Sequence, residues 1–250
     1  MIRFEGVCVT CGGRQILRDL TFDCPEGVTV LVGANGCGKS TALKALMGLV
    51  PLTSGGVTVD GQPLKSLAPR ARAALVAYLS QEGTFLADEF TVFEMALMSQ
   101  YHKGGFGGRY GDEDAERTRR WLQVFDLEAK RDQPMGTLSG GERQRVALAR
   151  SFAQGAKWIV LDEPTNHLDA HHATALVKLL KSSGLNALVV LHDLNYALAL
   201  ADHLVVMEEG TAVAQGAPEE VLTPAQVNHT WRGALTLYQR DGKSWVLPSL

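Results

Sequence analysis

At 250 residues with a hydrophobic content of 46%, the chain is long enough to bury a substantial core as one domain, or as one domain with an inserted subdomain. Its formal net charge of −3 supplies no bulk attraction to nucleic acid, so any polyanion must be met by local groups. Strand-like alternation begins at Ile2 where a signal peptide would lie, and no apolar run approaches the roughly 18 residues that span a bilayer, which predicts a soluble cytoplasmic chain.

Residues 2–32 alternate apolar and polar side chains around turns at Gly12-Gly13 and Pro25-Glu26-Gly27, the pattern of short antiparallel strands. Cys8 and Cys11 have the spacing of a metal knuckle, but residues three apart in an extended strand point to opposite faces. Free thiols are expected there and at Cys24 and Cys37. The apolar run Val28, Val30, Leu31 and Val32 leads into residues 33–41, Gly-Ala-Asn-Gly-Cys-Gly-Lys-Ser-Thr. This satisfies G-x-x-x-x-G-K-[ST], in which glycines let consecutive backbone N–H groups turn inward on a phosphate chain. Gly33, Asn35, Gly36, Cys37, Gly38, Lys39, Ser40 and Thr41 are therefore the candidate nucleotide contacts, with Lys39 on the β- and γ-phosphates and the Ser40 hydroxyl on Mg²⁺. A helix is expected over 39–49, its positive dipole end facing the loop and Pro51 stopping it.

Residues 57–59 and the Asp60-Gly61 turn extend the strand-rich edge, 68–74 form a short helix, and 75–79 form an apolar strand ending at Ser80-Gln81. From 91 to 150 the period becomes helical, with Phe93, Leu97 and Met98 on one stripe and Trp121, Leu122 and Phe125 on another. Residues 103–111, too glycine-rich for regular structure, read as a surface loop inside that block. The runs 158–161 and 187–191 are apolar on both faces, as buried parallel strands are. A helix capped by Asp169 and closed by Gly184 joins them as a right-handed crossover. Residues 205–207 and 211–213 flank a Glu209-Gly210 turn, 217–222 form a short helix, and 235–238 with 244–247 flank Asp241-Gly242 as a terminal hairpin.

Ligands of open parallel sheets bind outside the carboxyl ends of the strands. Those ends carry the phosphate loop, Ser80-Gln81, Asp162-Glu163 and His192-Asp193. Asp162 suits the Mg²⁺ shell, because that ion takes one or two carboxylates beside phosphate oxygens and water. Glu163 is placed to polarise the attacking water, Gln81 to sense the metal and that water, and His192 to bond the γ-phosphate and orient Glu163. His167 and His171 are four apart, but His167 precedes the helix, so they form no helical metal pair.

Residues 138–145, Leu-Ser-Gly-Gly-Glu-Arg-Gln-Arg, carry a second backbone anion nest, because Ser139-Gly140-Gly141 opens a helix. This stretch resembles the signature motif of the ATP-binding cassette ATPases. The resemblance spans nearly the whole chain, with Walker A at 33–41, the Q-loop at Gln81, Walker B at 158–163, the D-loop at 166–169 and the switch histidine at His192. It implies a single α/β nucleotide-binding domain over 1–250. Its P-loop NTPase (RecA-like) core has a mainly parallel sheet and an N-terminal antiparallel β-subdomain (1–90 plus 151–215), with an inserted α-helical subdomain (91–150) and an appendage (216–250). It also implies a head-to-tail dimer in which each ATP and its Mg²⁺ lie between one chain's phosphate loop and Ser139, Gly140 and Gly141 of the other, with Asp169 at the dimer contact. The family's aromatic platform for adenine falls here on Cys11, so stacking worth about 1–3 kcal/mol is missing.

Within the family, Asp-Glu-Pro-Thr-Asn-His-Leu-Asp at 162–169, Leu-His-Asp-Leu-Asn at 191–195 and Ala-Gln-Gly-Ala-Pro-Glu-Glu-Val-Leu-Thr-Pro at 214–224 are similar to the ATPase subunits of importers for iron-siderophore, haem or cobalamin. The partners then implied are integral-membrane permease subunits and, through them, a periplasmic or extracellular substrate-binding protein, with no nucleic acid. The location implied is the inner face of the cell membrane. Phe85, Leu86, Phe90 and Phe93 either receive a coupling helix of the permease or pack in the core. A soluble assembly ATPase, as for iron–sulfur clusters, and an exporter subunit are the alternatives.

Overall fold

The computed structural model describes residues 1–80, 88–100, 110–240 and 243–249; Gln81, Phe85, Leu86, the glycine-rich 103–109 and the Asp241-Gly242 turn lie outside them. Among these, the strands in chain order are β1 (Ile2–Cys11), β2 (Arg14–Cys24), β3 (Val28–Gly33), β4 (Ser54–Val59), β5 (Gln62–Pro63), β6 (Val76–Leu79), β7 (Trp158–Asp162), β8 (Asn186–Val190), β9 (His203–Glu208), β10 (Thr211–Gly216), β11 (Leu235–Arg240) and β12 (Lys243–Pro248). Residue contacts group the chain into two compact units, Met1–Ser66 with Thr174–Leu250, and Leu67–Ala173.

The first unit holds an antiparallel sheet in the order β2-β1-β4-β5. Alternation along β1 sends Ile2, Phe4, Val7 and Val9 inward to full burial, and Phe4 stacks on its cross-strand partner Phe22 with ring centroids 4.4 Å apart. β3 departs from the antiparallel expectation for residues 2–32. It pairs in parallel with β8 on one side and β9 on the other. Every residue of β3 is buried, so both faces are covered, and a strand so placed belongs with the buried parallel strands rather than a half-solvated edge. β10 returns antiparallel along β9. The terminal hairpin pairs β11 with β12, and the Asn195 side chain holds it by donating to the Val246 carbonyl at 3.1 Å and accepting the Val246 N–H at 2.8 Å.

The helix after the phosphate loop is shorter than expected. It covers Lys39–Leu46, and Gly48, at φ 70°, ends it before Pro51 is reached. There the Leu49 N–H returns to the Lys44 carbonyl at 2.8 Å, a glycine-terminated close that turns the chain out of the helix.

In the second unit β6 and β7 run parallel, with Leu79 opposite Leu161, so Ser80 and Asp162 emerge at the same end. The helices Val92–Leu97, Asp112–Val124 and Gly140–Ala153 bury a mixed aromatic and aliphatic core. Trp121 and Phe125 meet Phe152 at centroid distances of 4.8 and 5.5 Å, and Leu122 is fully buried, which is the stripe expected from the helical period. The folded chain is α/β with mainly parallel pairing, an antiparallel β-subdomain and a helical block.

Candidate active site

Each unit presents its own share of the candidate residues. In the first, β3 ends at Gly33, where φ is 152° and an added Cβ would lie 2.2 Å from the Met207 carbonyl oxygen, so only glycine fits. The chain then turns through Gly36 at φ 77° and Gly38 at φ 108°, conformations that L side chains rarely adopt. Asn35 and Gly36 are exposed at the tip, and a Cβ on Gly36 would meet nothing within 4 Å. Lys39 is buried, and its Nζ donates to the Gly33 carbonyl at 2.7 Å and the Ala34 carbonyl at 3.1 Å. The ammonium is thereby delivered to the inside of the loop instead of to solvent. Ser40 and Thr41 follow in the first turn, half-buried. Cys37 is buried under the loop, and desolvation holds its thiol above the ordinary range despite the nearby Lys39 charge. His192 is exposed one residue beyond Leu191, whose N–H reaches the Leu31 carbonyl of β3 at 3.3 Å. It therefore emerges at the end of β3 that opens into the loop.

In the second unit, Asp162 closes β7 fully buried, followed by Glu163, also buried and held at φ 51°. Left-handed backbone on a non-glycine residue costs about 1 kcal/mol or more and tends to gather at working sites. The Asn166 amide donates to the Glu163 carboxylate at 2.5 Å, which fixes its rotamer. His167 repeats the left-handed turn at φ 64°. Asp169 accepts the His172 N–H at 2.8 Å, the N-cap of the helix Ala170–Ser182, and that bond holds its carboxyl below the usual range.

Ser139 caps Gly140–Ala153 through a reciprocal box: its hydroxyl accepts the Glu142 N–H at 3.3 Å, and the Glu142 carboxylate accepts the Ser139 N–H at 2.8 Å. Lys130 binds the same carboxylate and, with the Ser139 bonds, depresses it to about 2. Gly140 is exposed, and the Gly141 Cβ position lies 2.7 Å from the His167 carbonyl. The Gln144 amide reaches the Pro164 carbonyl at 3.2 Å. The helix start at Ser139 and the turn after Glu163 are thus one packed assembly.

In the first unit, left-handed glycines open the loop to a phosphate chain and Ser40 offers a hydroxyl oxygen. In the second, the buried Asp162 offers a carboxylate of the kind a hard divalent cation takes. Sequence reasoning missed Asn166 as the partner of Glu163 and the tie from Gln144 to Pro164. Hydrogen bonds between side chains and turns leave no periodic signal, so nothing in the sequence pattern marks them.

A model of the ABC transporter family matches residues 17–166. The chain belongs to that family. As a member it is an ATP-binding cassette ATPase. It is 37% identical over 227 residues to the ferric enterobactin transport ATP-binding protein FepC of Escherichia coli, covering 89% of this chain and 83% of that protein. It is also 37% identical over 253 residues to the hemin import ATP-binding protein HmuV of Rhodococcus jostii, covering 99% of this chain and 86% of that protein. Among solved structures, a metal-chelate type ABC transporter in an inward-facing conformation matches the fold with a TM-score of 0.81 at 20% identity, over 100% of this chain and 97% of that one. A dimeric ATP-binding cassette bound to ADP and Pi matches with a TM-score of 0.75 at 25% identity, over 87% of this chain and 99% of that one. Among the described residues no helix is long and apolar enough to cross a membrane.

Proposed function

We propose that this cassette is the motor of an importer for a metal chelate of the iron-siderophore or haem kind, working as a head-to-tail dimer on a membrane permease at the inner face of the cell membrane. Similarity to FepC and HmuV over most of the chain supports the solute class. The observation that carries the mechanism is that one chain holds two backbone anion nests, the phosphate loop and the Ser139 helix start. One nucleotide does not need both from one chain, and a second copy uses each of them once.

In this reading the loop N–H groups and Lys39 hold the triphosphate. Ser40 and Asp162, with Gln81, would hold Mg²⁺, which would supply neutralisation of charge on the phosphate oxygens. Glu163, locked by Asn166, accepts a proton from the attacking water, and His192 bonds the γ-phosphate end. Ser139, Gly140 and Gly141 of the second copy close over the γ-phosphate, and Asp169 lines the contact between copies. Closing and reopening are passed to the permease, and the solute reaches it from a substrate-binding protein outside the membrane.

Glu163→Gln keeps the size and the Asn166 contact while removing the base. ATP binding is expected to survive, turnover to fall by about 10²-fold or more, and the closed dimer to accumulate in gel filtration with ATP. Turnover at the unmodified rate would remove Glu163 from the chemistry. Recovery of the chain with a multi-span permease from detergent-solubilised membranes is expected in the same preparation; recovery only in the soluble fraction would overturn the transport reading.

A further inference from the structure

A cavity of about 600 Å³ opens beside the phosphate loop within the first unit. One wall is the loop itself, at Asn35 and Gly36, and another is Arg14 on β2. The far wall comes from nearly 200 positions later in the chain: His229 and Arg232, at the end of the helix Pro224–Thr230. Its volume lies in the range of small-ligand sites. Among the described residues no Phe, Tyr or Trp lines it, the His229 imidazole stands in the far wall, and Cys11, the hairpin partner of Arg14, is exposed.

The far wall is fastened to the loop's own strand system. Glu208, the last residue of β9, accepts from the Thr230 hydroxyl, from the Gln226 amide at 3.3 Å, and faces His229 Nε2 at 3.4 Å. One residue earlier, Met207 pairs with Gly33 at the loop's start. The helix end is therefore registered to the loop through a single carboxylate. Arg232, just beyond it, is exposed, makes no ion pair among the described residues, and sits at φ 53°. Glycine would be the unstrained choice at that backbone position.

We propose that Arg232 is a nucleotide-binding residue for the base end of ATP, its guanidinium stacking on the purine face in a pocket that no described Phe, Tyr or Trp lines. This rests on the reading of residues 33–41 as the triphosphate site. A planar, weakly hydrated guanidinium attracts the π-face of a purine, and the left-handed turn that ends the helix carries it to the cavity wall. The C-terminal segment then belongs to the nucleotide site.

The test is calorimetric titration of the full chain with ATP and, separately, with inorganic tripolyphosphate, which lacks the base. Arg232→Gly relieves the left-handed backbone, so its melting temperature is expected to be unchanged or higher; Arg232→Lys keeps the charge and loses the plane. Both variants are expected to bind ATP about tenfold more weakly while tripolyphosphate affinity stays within about twofold. Equal weakening of both ligands would make Arg232 a phosphate contact and overturn the proposal. Unchanged ATP affinity in either variant would also overturn it. If the unmodified chain bound neither ligand, the phosphate-loop reading itself would fall, and this inference with it.

Discussion

At the residue scale, close approach decides what each glycine of the candidate site tolerates. Gly141 stands in the first turn of a helix, where alanine would ordinarily add up to about 1 kcal/mol of helix preference. Its Cβ would lie 2.7 Å from the backbone oxygen of His167, which cannot swing away as a long side chain could. Overlap of that kind costs about 1–3 kcal/mol, so the clash wins. Gly141→Ala is expected to lower the melting temperature and to slow ATP turnover together, because the shifted carbonyl belongs to the turn that follows Glu163. A more stable, fully active Gly141→Ala chain would mean that the contact is not held. Residue types nominated most of the candidate residues: Gly33, Lys39, Ser40, Asp162, Glu163 and His192 are all named from motif and strand-end position. The left-handed backbone at Glu163 and His167 is not legible in residue type, since neither is glycine, and it falls in a turn that contacts the Ser139 helix.

At the element scale, the Gly140–Ala153 helix depends on the charge of Glu142. That carboxyl is depressed from 4.5 to about 2 by Lys130 and by the Ser139 cap. A folded-state value below the unfolded one contributes stability that is fully present above the unfolded value and is lost as pH falls through the folded value. Glu142→Ala is therefore expected to lower thermal stability at neutral pH. The difference from the unmodified chain should shrink as pH drops from 4.5 toward about 2, as followed by circular dichroism melts. A difference independent of pH over that window would assign the loss to packing. The same Ser139 hydroxyl that would meet a γ-phosphate already donates to Glu142 at 2.7 Å, so engaging a nucleotide requires it to change partner. Sequence analysis marked Ser139 as a helix start, whereas the reciprocal box with Glu142 and Lys130 as its third member became visible only in the structure.

At the scale of the whole molecule, the two nests predict complementation. A Lys39→Ala chain lacks the triphosphate contact and a Ser139→Arg chain obstructs the signature, so each alone is expected to be nearly inactive. In a head-to-tail pair made of one of each, one of the two sites regains both intact halves. Equal mixing is expected to restore roughly a quarter of the unmodified ATPase rate, the statistical share when the sites turn over independently. Mixtures no more active than their parents would argue against sites shared between copies.

The sequence by itself determined the motifs, the apolar strands that carry them and the family, because those features are local: spacing, period and the glycine pattern of a loop reside in short windows. Tertiary structure alone decided two things. β3 pairs in parallel with β8 and β9, more than 150 residues away, rather than joining the antiparallel edge. And a C-terminal helix, read as appendage from its position in the chain, was brought by Glu208 to the wall of the cavity beside the phosphate loop. Contacts between distant segments follow from shape and hydrogen-bond complementarity in the folded chain, and no window of sequence contains both partners.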